Sequence, residues 1–212
     1  MRNKIIETAK KYDADIVGFA NASRFSKDDA IFKIFPETKT VIGLGFRVLR
    51  GIYRGVEEGT TYYQYTTMGV ENLEETVMPL ALINVSNLIE EEGFEALPQR
   101  KNPLIINEEN ATNPEVDYTD VYSGIKAENQ IDFLNCAVQC GLGEKSMIGS
   151  LLTKEYGPFI RYCFILTDAE IEGTKMLEPS LCDKCGECIK ACVGHAISEE
   201  GLDTWQCAVY YK

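Results

Sequence analysis

Leu181-Cys182-Asp183-Lys184-Cys185-Gly186-Glu187-Cys188-Ile189-Lys190-Ala191-Cys192 is the stretch on which the reading of this chain turns. Its four cysteines are spaced C-x2-C-x2-C-x3-C. Thiolates at two-residue gaps can wrap one iron–sulfur cubane while the intervening backbone N–H groups point at its sulfides. Zinc sites more often pair two C-x2-C units across a longer spacer, so zinc is the second reading. Cys182, Cys185 and Cys188 fall to one cluster. Cys192 either completes it or serves a second cluster, and Cys207 is the remaining thiol within reach. Cys207 also reads as a small buried hydrophobe between Trp205 and Tyr210.

The rest of the composition agrees with sulfur-based metal chemistry. The chain has 212 residues, eight cysteines and a single histidine. It is 45% hydrophobic and 25% charged, which fits a globular protein and excludes wholesale disorder. Acidic residues outnumber basic ones 33 to 21, for a formal net charge of −12. Such a surface repels nucleic acid unless a basic patch offsets it. The most basic stretch, Arg47, Arg50 and Arg54, runs straight into Glu57 and Glu58. A nucleic-acid partner is therefore not expected. No run of about 18 apolar residues exists to span a membrane. Met1 to Glu7 lacks the apolar stretch of a secretory signal. The expectation is a cytoplasmic protein without membrane contact, whose reduced thiols cluster for metal rather than for disulfides.

Hydrophobic periodicity sketches the organisation. Residues 3–12 fit a helix with Ile5, Ile6, Ala9 and Tyr12 on one face. Asp15–Ala20 and Thr40–Phe46 read as strands. Tyr62 to Glu92 has helical spacing, with Leu73, Val77, Leu80, Ala81, Val85, Leu88 and Ile89 recurring, and Gly93 ends it. Glu95–Leu97 and Leu104–Ile106 read as short strands, and the polar stretch 107–127 as a long loop. Gln130–Cys140 is predicted helical and capped by Gly141. Leu151–Thr153 and Phe159–Leu166 are expected to pair as a hairpin around Tyr156-Gly157-Pro158. The domain reading is an α+β core over 1–177 and a cysteine module over 178–212.

Several segments together resemble the epoxyqueuosine reductase family, relatives of the reductive dehalogenases. They are Gly141-Leu142-Gly143, Leu151-Leu152, Glu155-Tyr156-Gly157, Ile165-Leu166-Thr167-Asp168, the Cys182–Cys192 run, Ala196-Ile197, and Leu202-Asp203 with Cys207 close behind. Asp15–Gly18 and Val41-Ile42 fit more loosely. The resemblance implies a nitroreductase-like mixed sheet with helices, followed by a small ferredoxin-like 4Fe–4S module. It implies a base-off cobalamin beside two 4Fe–4S clusters in the complete family pattern, with flavin as the alternative core cofactor. Gly141, Gly143, Tyr156 and Gly157 would then lie near the corrinoid. On the residues alone, the glycines equally read as a helix C-cap followed by a turn.

The chain also departs from that pattern. The family's proton-donating aspartate aligns near Ala127, leaving the neighbouring Glu128 and Asp132 as candidate acids or as solvated helix-start residues. Glu144-Lys145-Ser146-Met147 replaces a Trp-Ile-Gly-Lys-type stretch. The second cysteine motif, the helical-repeat tail that helps bind tRNA, and the twin-arginine signal of the dehalogenases have no counterpart, so the module is expected to be truncated or to hold one cluster. His195 reads as a tuner of the cluster or a loop residue. Tyr62, Tyr63 and Tyr65 read as a flat stacking surface or a core face, and Cys136 and Cys140 as buried small residues. The expected function is an iron–sulfur oxidoreductase. It would pass electrons from a 4Fe–4S cluster to a core cofactor or a small organic substrate, and be supplied by a ferredoxin- or flavodoxin-type partner. The alternatives are an electron-transfer protein whose core only docks, and a cysteine module that binds metal solely to fold.

Overall fold

The computed structural model describes residues 1–60, 65–100, 131–203 and 206–207. In chain order it runs through α1 (Arg2–Lys11), β1 (Ile16–Asn21), α2 (Ala30–Ile34), β2 (Thr40–Arg47) and α3 (Arg54–Glu57). Two π-helical turns, Tyr65–Glu71 and Leu73–Val77, lead into α4 (Met78–Glu91) and then β3 (Ala96–Gln99). After the undescribed stretch come α5 (Phe133–Gln139), β4 (Glu144–Lys145), β5 (Leu151–Leu152), β6 (Ile160–Thr167), α6 (Glu187–Ala191), β7 (Ile197–Ser198) and β8 (Gly201–Leu202).

The central sheet has the order β1-β2-β6-β3. All three of its pairings are antiparallel. The α+β class is as expected, and among the described residues this sheet is antiparallel throughout. Side chains alternate across a strand, and here both faces are covered. Ile42, Leu44, Phe46, Phe19, Cys163 and Ile165 face the layer of α1 and α4. Val41, Ala20, Phe164 and Leu166 face α5 and the segment carrying Phe25, Ile31 and Phe35. Double coverage explains why Val41–Phe46 is an unbroken apolar run rather than an alternating one. Fully burying each of Phe19, Phe46 and Phe164 contributes about 1.5–3 kcal/mol.

Glycines set how closely the α5 layer sits. Gly18 and Gly43 lie opposite each other in the β1–β2 register. A Cβ on Gly18 would stand 2.2 Å from the Cys140 carbonyl oxygen, and one on Gly43 3.0 Å from a Leu142 methyl. The bare patch is where the end of α5 rests on the sheet.

Two local expectations differ from the structure. β5 does not pair with β6; it pairs with β4, and only a Thr153–Gly157 bridge closes the turn before β6. The reason is burial. β6 is apolar on both faces and takes a central place between β2 and β3, which leaves no edge for β5. β3 continues through Pro98 instead of stopping before it. Among the described residues β3 is bonded only to β6, at the edge of the sheet, and an edge tolerates a residue without an N–H. The helical reading of 62–92 holds from Tyr65 to Glu91, and Gly93, at φ +88°, ends it. Tyr62, Tyr63, Leu104–Ile106, the 107–127 loop and Glu128 lie outside the described residues. Among the described residues no helix is long and apolar enough to cross a membrane.

Candidate functional site

The site begins at the end of α5. Asp132 caps the helix N-terminus, its carboxylate accepting the Asn135 N–H at 3.0 Å. At the other end the Leu142 N–H donates to Ala137 and the Gly141 N–H to Val138. With Gly141 at φ +72°, this is a Schellman cap. The chain turns sharply, buries Leu142, and enters the β4–β5 hairpin. At the hairpin tip the Ser146 and Ser150 hydroxyls hydrogen-bond each other at 2.8 Å, and Gly149 takes the left-handed conformation at φ +73°.

The segment after β6 is strapped to the core. The Thr40 hydroxyl donates to the Ala169 carbonyl and accepts the Ile171 N–H. Thr174 pairs with Phe19 on the β1 edge, its N–H to the Phe19 carbonyl and its hydroxyl oxygen accepting the Phe19 N–H. A Cβ on Gly141 would meet the Lys175 carbonyl oxygen at 2.7 Å, and one on Gly143 the Leu152 carbonyl oxygen at 2.3 Å. The smallness of Gly141 and Gly143 thus lets the chain's own backbone pass close by. Residues 168–177 deliver the cysteine run to the hairpin.

There the chain meets Glu144. This side chain is buried on β4, and its carboxylate accepts three consecutive backbone N–H groups: Ser180 at 2.6 Å, Leu181 at 2.9 Å and Cys182 at 2.6 Å. Burial alone would raise its pKa. The three donors outweigh burial and hold the carboxyl below its ordinary value. Sequence reading treated Glu144 only as a departure from a motif. No local signal marks this carboxylate, because its partners lie 36 to 38 residues away.

Beyond Glu144 the cysteines curl over the hairpin tip. Ser146, Met147, Ile148, Ser150, Leu152 and Pro158 wall one side of a cavity of about 200 Å³. Leu181, Cys182, Asp183, Lys184, Cys185, Gly186 and Cys188 wall the other. Lys184 at φ +59° and Gly186 at φ +76° turn the loop back on itself between the thiols. Cys185 is exposed and Cys182 and Cys188 half-buried, and all are free thiols. Cys192 and Cys207 are half-buried and do not line this cavity. The Cys192 sulfur accepts the Ala196 N–H at 3.3 Å. Among the described residues no three His, Cys, Asp or Glu side chains stand close enough together to hold a metal ion. What fits an iron–sulfur cluster is the donor set: three accessible thiols from one tight loop, open to one space.

The other candidates fall elsewhere. Tyr156 precedes the cavity-lining Pro158, and its hydroxyl donates to Asp15 at 3.4 Å. Burial first, and then the Asp15 charge, push its pKa up. Gly157 is left-handed at φ +56°. Asp132, besides capping α5, lies near Tyr162, whose pKa is raised by burial and then by that carboxylate. His195 is an exposed loop residue at φ +51°. Cys136, Cys140 and Cys163 are buried thiols, and burial raises each of their pKa values.

With this geometry set out, the likeness to known proteins can be stated. The chain has the fold shared by epoxyqueuosine reductases and reductive dehalogenases. A catabolic reductive dehalogenase solved with 3-bromo-4-hydroxybenzoic acid superposes with a TM-score of 0.66 at 16% identity, over 97% of this chain and 28% of that one. Epoxyqueuosine reductase from Bacillus subtilis superposes at 0.62 and 14% identity, over 97% and 55% respectively. In sequence, the likeness is to tetrachloroethene reductive dehalogenases. That of Sulfurospirillum multivorans is 32% identical over 66 residues, 30% of this chain and 13% of that protein. That of Desulfitobacterium hafniense is 39% identical over 67 residues, 30% and 12%. The chain thus spans about half of the reductases and about a quarter of the dehalogenase it superposes on. No protein-family model matches it. A further epoxyqueuosine reductase, at a TM-score of 0.60 and 13% identity, was solved with a modified tRNA stem loop.

Proposed function

We propose that the protein is an iron–sulfur oxidoreductase. In this reading Cys182, Cys185 and Cys188, with Cys192 or Cys207, hold a 4Fe–4S cluster in a ferredoxin-like module over 178–212. The core over 1–177, of nitroreductase-like type, presents a second cofactor or a small organic substrate. Cobalamin is the first choice for that cofactor and flavin the second. The observation that carries the reading is the convergence of three thiols of the C-x2-C-x2-C run on one cavity walled by the core hairpin. The shared fold with two families of reductases supports it. The cluster, when bound, supplies one-electron transfer.

The chain's own residues have these roles. The loop of Lys184 and Gly186 orients the thiols. Gly141 and Gly143 bring the strap and the hairpin together beneath them. Tyr156 and Gly157 form the turn beside the cofactor. Glu128 or Asp132 delivers a proton to the reduced substrate. A ferredoxin- or flavodoxin-type protein supplies the electrons.

The test is anaerobic reconstitution with iron, sulfide and hydroxocobalamin, followed by desalting. Iron–sulfur absorbance and about four irons per chain support the cluster; colourless protein refutes it. Corrinoid absorbance that fails to stay with the protein refutes cobalamin.

One observation favours a second reading, an electron-transfer protein with a docking core. The net charge of −12 would steer a basic partner. Turnover of an organic substrate by the reconstituted protein would exclude it.

A further inference from the structure

Glu144 is at odds with its surroundings. A two-residue strand gains nothing for its own pairing from a buried carboxylate, and taking that charge out of water is costly. Both oxygens are nonetheless engaged. One accepts the N–H groups of Leu181 and Cys182 and the other that of Ser180. Three successive N–H groups aimed at one anion form a nest, and here the anion comes from the core. The last of the three belongs to Cys182, the first thiol of the run. The same hairpin presents Ser146, Met147, Ile148 and Ser150 to the cavity that receives the thiols. On its far side, a Cβ on Gly201 would stand 3.7 Å from the Met147 carbonyl oxygen, so β8 also lies against the hairpin tip. The β4–β5 hairpin is therefore a mount that touches the cysteine module at the cavity wall, at Gly201 and through the Glu144 carboxylate.

We propose that Glu144 is a positioning residue for the cluster. It fixes the Ser180–Cys182 backbone so that the Cys182 thiol stays on the cavity, and it sets a negative charge beside the cluster that lowers its reduction potential. The inference rests on the iron–sulfur reading above. Two general facts link the geometry to the effect. Loss of a group that holds a ligand from behind typically costs about 10- to 100-fold in metal affinity. Cluster potentials respond to nearby charge and to hydrogen bonding. A fixed negative charge opposes the arrival of an electron, so removing it makes the cluster easier to reduce.

The test uses the full chain as wild type, Glu144→Gln and Glu144→Ala. Each is reconstituted anaerobically, then followed by iron count, competition with a chelator, and an EPR-monitored redox titration. Glu144→Gln keeps an acceptor oxygen but no charge. It is expected to load iron and to show a midpoint potential more positive than wild type. Glu144→Ala leaves the three donors without an acceptor, and is expected to hold iron about 10- to 100-fold less tightly against the chelator. A merely structural role would lower the melting temperature and leave the potential of the loaded Gln variant unmoved. If Glu144→Ala fails to fold, the Gln midpoint alone decides. Wild type that loads iron beside a Gln variant of unchanged potential overturns this inference and spares the cluster. Wild type that takes up no iron overturns both.

Discussion

Gly18→Ala tests whether the end of α5 is seated on the sheet as tightly as described. The added methyl would stand 2.2 Å from the Cys140 carbonyl oxygen and 2.9 Å from a Leu142 methyl. Ordinary contact begins near 3.4 Å, so the end of α5 must move by about 1.2 Å. The obstacle is backbone, held by the Schellman cap at Gly141, and cannot swing aside as a side chain would. Overpacking of this kind costs about 1–3 kcal/mol, and more where backbone must shift. At roughly 2–4 °C per kcal/mol for a chain of this size, the melting temperature should fall by about 2–12 °C. Gly45→Ala is the internal control. It lies on the same sheet, but its Cβ would meet Ile16 and Ile160 at 3.4 Å, so its cost should stay under about 1 kcal/mol. Gly43→Ala, facing a Leu142 methyl at 3.0 Å, should fall between them. Denaturant unfolding of the three variants at equal metal loading measures the order. Because Cys140 leads within four residues to Glu144, Gly18→Ala should also reduce iron uptake. A Gly18→Ala protein within about 0.5 kcal/mol of Gly45→Ala would refute the argument.

Three further outcomes are expected. Cys185→Ala should abolish cluster assembly. Iron counts in Cys192→Ala and Cys207→Ala should show which thiol completes the set, since only the ligand's removal lowers them. Alkylation of native, metal-free protein followed by mass mapping should modify Cys182, Cys185, Cys188, Cys192 and Cys207. It should spare Cys136, Cys140 and Cys163, whose burial both shields them and keeps them as thiols. Glu144 also sets a pH dependence. Its folded pKa lies below the ordinary 4.5, so its contribution is present above that value and lost as pH falls through the lower, folded one. The stability gap between wild type and Glu144→Gln should therefore shrink below about pH 4.5, as followed by denaturant midpoints.

Much of this was legible along the chain. The 3.6-residue spacing of Leu73, Val77, Leu80 and Ala81 marks α4, because one face of a helix must be apolar to pack. The C-x2-C-x2-C run brings its three thiols to one cavity, because spacing within one loop is a local property. Gly141 reads as a helix end, and it is one. The strand-forming character of Phe159–Leu166 was equally plain, but not its partners. A strand apolar on both faces declares that it is central without saying which strands flank it, so pairing it with its neighbour β5 went wrong. The strand expected over Glu95–Leu97 runs on through Pro98, because a residue that cannot donate to a ladder is tolerated at a sheet edge, and the position of the edge is set by the fold.

By itself the sequence determined the α+β class, the helix and strand segments, and which three thiols form a set. These follow from periodicity and spacing over a dozen residues. Only the tertiary structure decided the antiparallel order β1-β2-β6-β3, the seat that Gly18 and Gly43 make for α5, and the clasp of Glu144 on Ser180–Cys182. Each of these joins segments far apart in the chain. Such a contact is selected by which faces can be buried and which polar groups must find partners once the chain has folded.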